Sequence, residues 1–396
     1  MLKIISCAGF GNTGSSIITD FFQEFSCVKA VGGSFFEFQL LHEPDGIMDL
    51  EKSLVEGNRL KTDLAIKRFL KLVNMLNFKN LSGPNYKDFF GDKFLQYTKE
   101  YLKALGVIEW NHGWWSRAFE LQKTNKIDRY VKQDMFNKLI KKHNYALYEA
   151  DSWRPIYTSF TKQYFCISEK DEFKKITKLY LNKLFEILSD GAEYLLFDQL
   201  FPSNCDEDYI SYFDFAKVIV VDRDPRDIYF ANKVFWGSGY IPSENIETYI
   251  KWFRKTRNNV HPSSNLLCIK FEDMIYKGVE TQKKICEFVG IDIEKHDKPK
   301  THLILEKSKQ NTMMYKRFDI SKKEFKLGIE KDINRIEKEL SDYIYPFEDF
   351  VDTTTIEKKK QEFVYEIVVN DIESRKYSLI TIFHVLLKKI YNKLVK

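Results

Sequence analysis

The sequence predicts an α/β fold: a parallel β-sheet core with helices on both faces and a large helical insertion. A strand, a glycine-rich turn and a helix start follow one another within residues 2–22. Apolar runs typical of buried parallel strands return at 193–199, 216–222 and 266–272, each followed by a polar turn and a helical pattern. Between about 47 and 188 the apolar residues instead recur at helical spacing, which indicates the insertion.

The first strand, Leu2–Ala8, leads into the loop Gly9–Ser16, which contains three glycines and three hydroxyl side chains. Glycines let the backbone approach an anion, and the free N–H groups at a helix start attract it. The alternative is an ordinary strand-to-helix turn. The number of glycines and hydroxyls favours a phosphate or sulfate site.

A second polar constellation, Val221–Asp227, closes the strand 216–222 and opens a helix. Arg223 at the strand end is suited to a bidentate phosphate contact. The alternative is a structural ion network among Arg223, Arg226 and the neighbouring aspartates. Because ligands of parallel sheets bind at the carboxyl ends of strands, we expect the loop, Asp198, Arg223 and Glu272 near one rim.

Composition and charge narrow the class of protein. The 396 residues carry 30% charged and 44% hydrophobic residues and a net charge of +5, which suits an anionic ligand but is too small to indicate nucleic acid. The six cysteines are scattered and read as free thiols in a reducing compartment. With no leader and no long apolar run, we expect a cytoplasmic protein.

We expect an α/β domain over 1–345, with the insertion at about 47–188, and a helical, basic amphipathic tail over 346–396. Its end, 378–396, is apolar first and lysine-rich later. Two interpretations stay open: peripheral contact with an anionic membrane surface, or a helix docked on the protein's own core.

Taken together, these motifs resemble the sulfotransferase family, the P-loop-like enzymes that use 3′-phosphoadenosine 5′-phosphosulfate (PAPS). The loop 9–16 resembles the 5′-phosphosulfate loop, 220–227 the 3′-phosphate motif, and 269–274 with 285–291 a late strand-and-helix signature. Residues 37–50 are similar to bacterial polysaccharide-linked members. The resemblance covers roughly 1–45 and 190–316.

The resemblance implies sulfuryl transfer from PAPS, without a metal, to a hydroxyl of a glycan or lipid-linked saccharide in polysaccharide biosynthesis. It implies that the cosubstrate contacts are Gly11, Asn12, Thr13, Gly14, Ser15, Ser16, Arg223, Asn232, Ser308 and Asn311. Two positions depart from the family pattern. Asn12 stands where a cation is usual, and Ala231 where a phosphate-binding serine is usual, with Asn232 as its substitute.

The reaction also needs a base for the acceptor proton. The candidates are Asp198, at a strand end beside the loop, and Glu37, with His42 and His112 behind them; Asn12 is the candidate donor to the leaving group. The tryptophans 110, 114 and 115 either stack on a sugar or belong to a core.

Two other functions stay open. A nucleotide kinase is disfavoured because Ser15 stands where a Walker loop has lysine. A non-catalytic descendant that keeps the fold to bind a saccharide or partner is supported by Asn12 and Ala231.

Overall fold

A computed structural model of the chain describes residues 2–31, 37–78, 85–110, 135, 138, 162–237, 239–320, 323–356 and 358–361. We number the helices and strands of these residues in chain order. The first part comprises β1 Lys3–Gly9, α1 Ser16–Phe22, β2 Val28–Ala30, α2 Ile47–Glu56, α3 Arg59–Asn77, α4 Tyr86–Phe90, α5 Lys93–Ala104, β3 Ile108–Trp110, β4 Gln163–Phe165 and α6 Lys170–Ser189. The second part comprises β5 Tyr194–Asp198, α7 Glu207–Ile210, β6 Ala216–Asp222, α8 Pro225–Ala231, α9 Ile246–Arg257, β7 Leu266–Lys270, α10 Phe271–Tyr276, α11 Gly278–Val289, α12 Leu305–Lys309, α13 Met314–Arg317, β8 Phe318–Ile320, α14 Lys323–Glu339 and β9 Lys359–Gln361.

The main sheet has five strands in the order β2-β5-β1-β6-β7, and every neighbouring pair is parallel. Helices α1, α10 and α11 contribute to the same buried apolar cluster as these strands. The predicted α/β fold with a parallel sheet core is therefore confirmed.

The order of the sheet reverses beside β1. The chain leaves β1 for β2 on one side of the sheet and leaves β6 for β7 on the other. In open α/β sheets ligands bind where such connections diverge, outside the carboxyl ends of the strands. Gly9, the last residue of β1, pairs with Val221 of β6, so the loop after β1 and the turn after β6 lie side by side.

The strands lie close to where their apolar runs predict them. In β6, Val218–Val221 are all buried, as a strand covered on both faces requires. The run 266–272 is two residues longer than β7, because α10 begins at Phe271. The acidic Glu272 and Asp273 lie in the first turn of α10, where negative charge favours a helix start.

Contacts divide the chain into two compact units, Met1–Gln39, Lys79–Asn85 and Phe185–Lys396 in one, and Leu40–Phe78 and Tyr86–Leu184 in the other. The first unit contains the five-stranded sheet. The described part of the second is mainly helical and also contains the antiparallel pair β3–β4, which the sequence analysis missed. The predicted domain boundary at residue 345 stays a prediction.

The second unit has an aromatic core between α5 and α6. The rings of Tyr101 and Tyr180 stack with centroids 4.5 Å apart. Each hydroxyl is satisfied from the other helix: Tyr101 by Thr177 at 2.8 Å and Tyr180 by Thr98 at 2.7 Å. Burial of polar tips with partners adds specificity to the large apolar area that the rings cover.

The first described residues of the predicted tail are not helical throughout. Phe347–Asp349 form a 3₁₀ turn, and β9 pairs in parallel with β8. The segment 378–396, predicted to contact a membrane or the core, lies outside the described residues. In the described part of the chain, no helix has both the length and the apolar character needed to cross a membrane.

Candidate anion-binding site

The loop between β1 and α1 has an unusual backbone. Gly11, Asn12 and Gly14 adopt left-handed conformations, with φ of +85°, +53° and +80°. A Cβ on Gly11 would lie 2.6 Å from Cδ1 of Tyr240, and one on Gly14 would lie 2.7 Å from Cδ2 of Phe271. Both positions therefore need glycine for conformation and for space. Left-handed residues in such a turn let main-chain N–H groups converge, which is the arrangement that binds anions.

The three hydroxyl side chains of the loop are placed differently. Thr13 is buried, and its Oγ1 accepts from the N–H of Phe10 at 3.4 Å, so it holds the loop together. Ser15 Oγ accepts from Nε2 of Gln199 at 3.2 Å, which ties the loop to the end of β5. Ser16 is exposed at the start of α1. The backbone of the loop and Ser16 are thus the groups best placed to meet a ligand.

Arg223, directly after β6, is buried with 5% of its surface exposed. Its Nη1 donates to the carbonyl of Asn12 at 3.0 Å, and its Nη2 donates to the carbonyl of Asn311 and contacts Sδ of Met314 at 3.1 Å. Its Nε is buried without a hydrogen-bond partner. In the described part of the chain, no carboxylate lies within ion-pair distance of Arg223. Arg223 still acts at longer range on Asp227, whose raised pKa its charge opposes. A buried guanidinium without a direct ion pair among the described residues, beside a glycine-rich loop, is the property expected of an anion site.

Arg226, three residues later, has a different environment. Its Nη2 lies 2.8 Å from Oδ2 of Asp224, and its Nη1 lies 2.8 Å from Oε1 of Glu337. Arg226 therefore forms the ion pairs that the structural alternative predicts, whereas in the described part of the chain no carboxylate forms a direct ion pair with Arg223.

A second ion network holds the end of β6 against α9 and β7. Asp222 accepts from Arg257 at 2.8 Å and from Lys270 at 3.0 Å. Burial would raise the pKa of Asp222, but these two cations outweigh it and hold the pKa below its usual range. The guanidinium of Arg257 also lies 3.9 Å from the ring centroid of Phe10, so this network braces the loop.

Asn12 and Asn232 meet across the site. Nδ2 of Asn12 donates to Oδ1 of Asn232 at 3.1 Å, and Nδ2 of Asn232 donates to Oγ of Ser243 at 2.6 Å. Asn232 and Ala231 are each 1% exposed. Asn232 is therefore placed to orient Asn12; its predicted contact with a phosphate stays a prediction.

The segment 305–311 reaches the same place from the other side. The carbonyl of Asn311 accepts from Arg223, while its side chain is exposed. Ser308 is half-buried in α12, and its carbonyl accepts from the N–H of Asn311 at 2.9 Å. The structure thus brings Asn311 to Arg223 and places Ser308 one turn away.

Asp198, the first candidate base, is the last residue of β5 and pairs with Cys7 of β1. Sγ of Cys7 donates to Oδ1 of Asp198 at 3.3 Å. Burial raises the pKa of Asp198, although hydrogen bonds from Cys7 and Gln199 oppose the shift. Asp198 directly precedes Gln199, whose side chain contacts the loop, so Asp198 lies next to the site.

The other candidates lie elsewhere in the chain. Glu37 is exposed beyond β2, and His42 is half-buried in the second unit. Trp110 is half-buried in β3, with the guanidinium carbon of Arg59 5.7 Å from its ring centroid. The candidates His112, Trp114 and Trp115 lie outside the described residues.

Sequence reasoning missed three contributors to the site: Gln199 as a loop contact, Tyr240 over Gly11, and Arg257 against Phe10. They belong to segments without motif character, and only the fold brings them to the loop. Within the described residues, no group of three or more His, Cys, Asp or Glu is arranged to hold a metal ion.

The fold and the site together define an α/β protein with an anion-binding loop at the switch point of a parallel sheet. No family model matches the chain. Over 96 residues the chain is 33% identical to sulfotransferase 2A1 of Rattus norvegicus, covering 20% of this chain and 33% of the relative. Sulfotransferase 2A6 of the same organism is 31% identical over 94 residues, with the same coverage. These matches support a relationship to the sulfotransferase family, and the chain spans about a third of the length of the curated relatives that it matches.

Two solved structures with some similarity are also sulfotransferase domains. One, from the olefin synthase of Synechococcus PCC 7002, is 14% identical with a TM-score of 0.32 and covers 75% of each chain. The other, from the curacin biosynthetic pathway, is 14% identical with a TM-score of 0.36 and covers 87% of this chain and 99% of the other. Because these TM-scores are low, the fold assignment rests on the sheet order and strand pairing described above.

Proposed function

We propose that the chain is a sulfotransferase that binds PAPS between the loop 9–16 and Arg223 and transfers its sulfuryl group to a hydroxyl. The observation that carries the proposal is Arg223: a buried cation without a carboxylate partner in the described residues, and with an unpartnered Nε. A phosphate group supplies the missing charge and the missing acceptor at once. The curated matches are named sulfotransferases, which supports sulfuryl transfer as the reaction, while PAPS as the donor is our proposal.

Binding a phosphate at Arg223 requires the segment 305–311 to move. In this structure the carbonyl of Asn311 accepts a hydrogen bond from Nη2 and lies against the guanidinium. A phosphate oxygen is a stronger acceptor for a cation than a neutral carbonyl. We therefore expect the carbonyl of Asn311 to leave Nη2 as the anion binds.

The loop backbone serves the other end of the donor. The N–H groups from Gly11 to Ser16 stabilise negative charge on the 5′-phosphate, which grows as the bond between bridging oxygen and sulfur breaks. Asn12, held by Asn232, donates a hydrogen bond where a cation would add charge. Transfer is therefore slower than a lysine at this position would allow.

Asp198 is our proposed base. Sulfuryl transfer moves the acceptor hydroxyl proton to a base while the new oxygen–sulfur bond forms. Burial raises the pKa of Asp198, which makes the carboxylate a stronger base than an exposed aspartate. Glu37, exposed beyond β2, is the weaker candidate.

For the acceptor we propose a hydroxyl of a glycan or lipid-linked saccharide, from the similarity of residues 37–50 to polysaccharide-linked members. A cytoplasmic reaction, with the tail 378–396 touching a membrane that carries the acceptor, is part of the same proposal. Asn12 favours one specific alternative: a protein that still binds the donor but no longer transfers its sulfuryl group.

A titration with 3′-phosphoadenosine 5′-phosphate (PAP), AMP and ATP tests the donor site. We expect PAP to bind at least tenfold more tightly than AMP, which lacks the 3′-phosphate, and than ATP. Equal affinity for ATP would indicate a kinase-like site, and no binding of any nucleotide would refute the donor site. Radiolabelled PAPS with polysaccharide and lipid fractions then separates transfer from binding alone.

A further inference from the structure

Three carboxyl groups close to Arg223 have no exposed surface: Asp224, Asp227 and Glu272, each 0% exposed. Asp224 is satisfied by the guanidinium of Arg226 and by two main-chain N–H groups. The two oxygens of Asp227 accept from the N–H groups of residues 313 and 314 at 2.7 and 2.6 Å. These two aspartates are therefore supplied with donors on both oxygens.

Glu272 is not. Its Oε1 accepts from the N–H of Asp224 at 2.9 Å, and its Oε2 is buried without a hydrogen-bond partner. In the described part of the chain, no cation lies within ion-pair distance of this carboxyl. A buried carboxylate with one donor and no cation is costly, and taking up a proton removes the charge. Burial, reinforced by the charge of Asp224, raises the pKa of Glu272 to about 8.

The groups that face Glu272 come from three elements. From the turn after β6, the charges of Arg223, Asp224 and Asp227 act on the pKa of Glu272, and Arg226 is the partner of Asp224. Asp273 follows Glu272 in α10, and Tyr345, whose hydroxyl donates to Asp273, belongs to the third element. With Glu272 neutral, the fully buried carboxyl groups left to ionise are those of Asp224, which pairs with Arg226, and Asp227, whose ionised form the charge of Arg223 favours. With Glu272 ionised, the same buried cluster carries an excess negative charge.

We propose that Glu272 is a neutral carboxylic acid in the resting protein, and that this proton is required for tight binding of an anion at Arg223. The inference rests on the proposed function, because it takes Arg223 as the phosphate contact. When Glu272 loses its proton to solvent, its negative charge partly cancels that of Arg223 and repels the incoming phosphate. By reciprocity, a bound anion favours the protonated form, so binding takes up a proton from solvent.

Titration of the wild type and Glu272→Gln with PAP between pH 7 and 9.5 tests the proposal. In this range the phosphates of PAP are already ionised, since their second pKa is about 6. If the anion raises the pKa of Glu272 by about one, the dissociation constant of the wild type rises roughly sevenfold from pH 7 to 9.5. We expect less than a twofold change in Glu272→Gln, whose neutral amide keeps an acceptor for Asp224. Glu280→Gln, exposed on α11, is the matched control and should follow the wild type.

A second measurement uses the wild type alone. Calorimetry at pH 8.5 in buffers of different ionisation enthalpy should give an uptake of about half a proton per PAP bound. Zero uptake or proton release would overturn the proposal, as would a pH dependence in Glu272→Gln equal to that of the wild type.

If PAP does not bind at any pH, the proposed function fails, and the protonation state of Glu272 is still decided by unfolding. The folded-state pKa of about 8 lies above that of an unfolded glutamate, so the wild type loses stability relative to Glu272→Gln as pH rises from 5 to 8. Equal differences between the two proteins at pH 5 and pH 8.5 would show that Glu272 is not a neutral acid.

Discussion

Arg223 and Arg226 lie three residues apart, and replacing each with methionine should have opposite consequences. Arg226 forms a buried ion pair with Asp224 and a second, partly exposed one with Glu337, each at 2.8 Å. Arg223 donates to neutral carbonyls and has an unpartnered Nε. Breaking a buried pair by removing one partner costs about 3–5 kcal/mol, because the other charge stays buried alone. Arg226→Met should therefore lower the free energy of unfolding by that amount.

Arg223→Met removes a buried cation that has no direct ion pair with a carboxylate in the described residues. It frees two carbonyls, each worth about 1 kcal/mol as a hydrogen bond, and relieves the cost of the buried charge, so the net loss should stay below about 2 kcal/mol. Two charge-assisted hydrogen bonds to a phosphate contribute at least about 3 kcal/mol, so PAP binding should weaken a hundredfold or more.

Urea unfolding at pH 7 gives the stability of both variants, and calorimetric titration with PAP gives their affinity. The reasoning is refuted if Arg223→Met unfolds as readily as Arg226→Met and still binds PAP like the wild type. It is also refuted if Arg226→Met leaves the unfolding free energy unchanged.

Three further substitutions test separate parts of the structure. Gly11→Ala should lower the free energy of unfolding by roughly 1–3 kcal/mol in thermal scans, because the residue has a left-handed φ and its Cβ would meet the ring of Tyr240. The control Gly328→Ala, in the interior of α14, should stabilise the protein by up to about 1 kcal/mol, and equal effects of the two substitutions would contradict the loop geometry. Asp198→Asn should keep the affinity for PAP within twofold of the wild type and slow sulfuryl transfer at least about a hundredfold. The wild-type transfer rate should rise with pH through the raised pKa of Asp198, and full activity in the variant would exclude Asp198 as the base. Burial opposes ionisation of Glu24, but main-chain N–H groups and a side-chain hydrogen bond lower its pKa below the usual value, so the stability that it contributes is present at pH 7 and is lost as pH falls through that lowered pKa. Urea unfolding at pH 7 and pH 3.5 should show a smaller difference between wild type and Glu24→Gln at the lower pH, and a constant difference would contradict the assignment.

The parallel sheet could be predicted because its signal is local. Consecutive buried residues in 216–222 and the polar turn after them specify a strand and its end from neighbouring residues alone. The antiparallel pair β3–β4 could not, because its strands have three residues each and are more than 50 residues apart in sequence. A strand of three residues is too short to show an alternating apolar and polar pattern.

The candidate site could be predicted in part for the same reason. The left-handed loop and Arg223 follow from adjacent residues at strand ends, so the sequence contains their signal. The difference between Arg223 and Arg226 depends on Glu337, 111 residues from Arg226, and a sequence motif of two arginines and three aspartates does not distinguish them. The burial of Glu272 and the brace from Arg257 are also set by distant packing.

A crystal structure of the chain with PAP tests the central claim most directly, namely that Arg223 and the loop 9–16 form a two-ended anion site. We predict the 3′-phosphate within hydrogen-bond distance of Arg223 and the 5′-phosphate over the N–H groups of Gly11–Ser16, with 305–311 displaced from its present contact. A nucleotide bound elsewhere, or a phosphate that leaves the Arg223–Asn311 contact in place, would contradict the account.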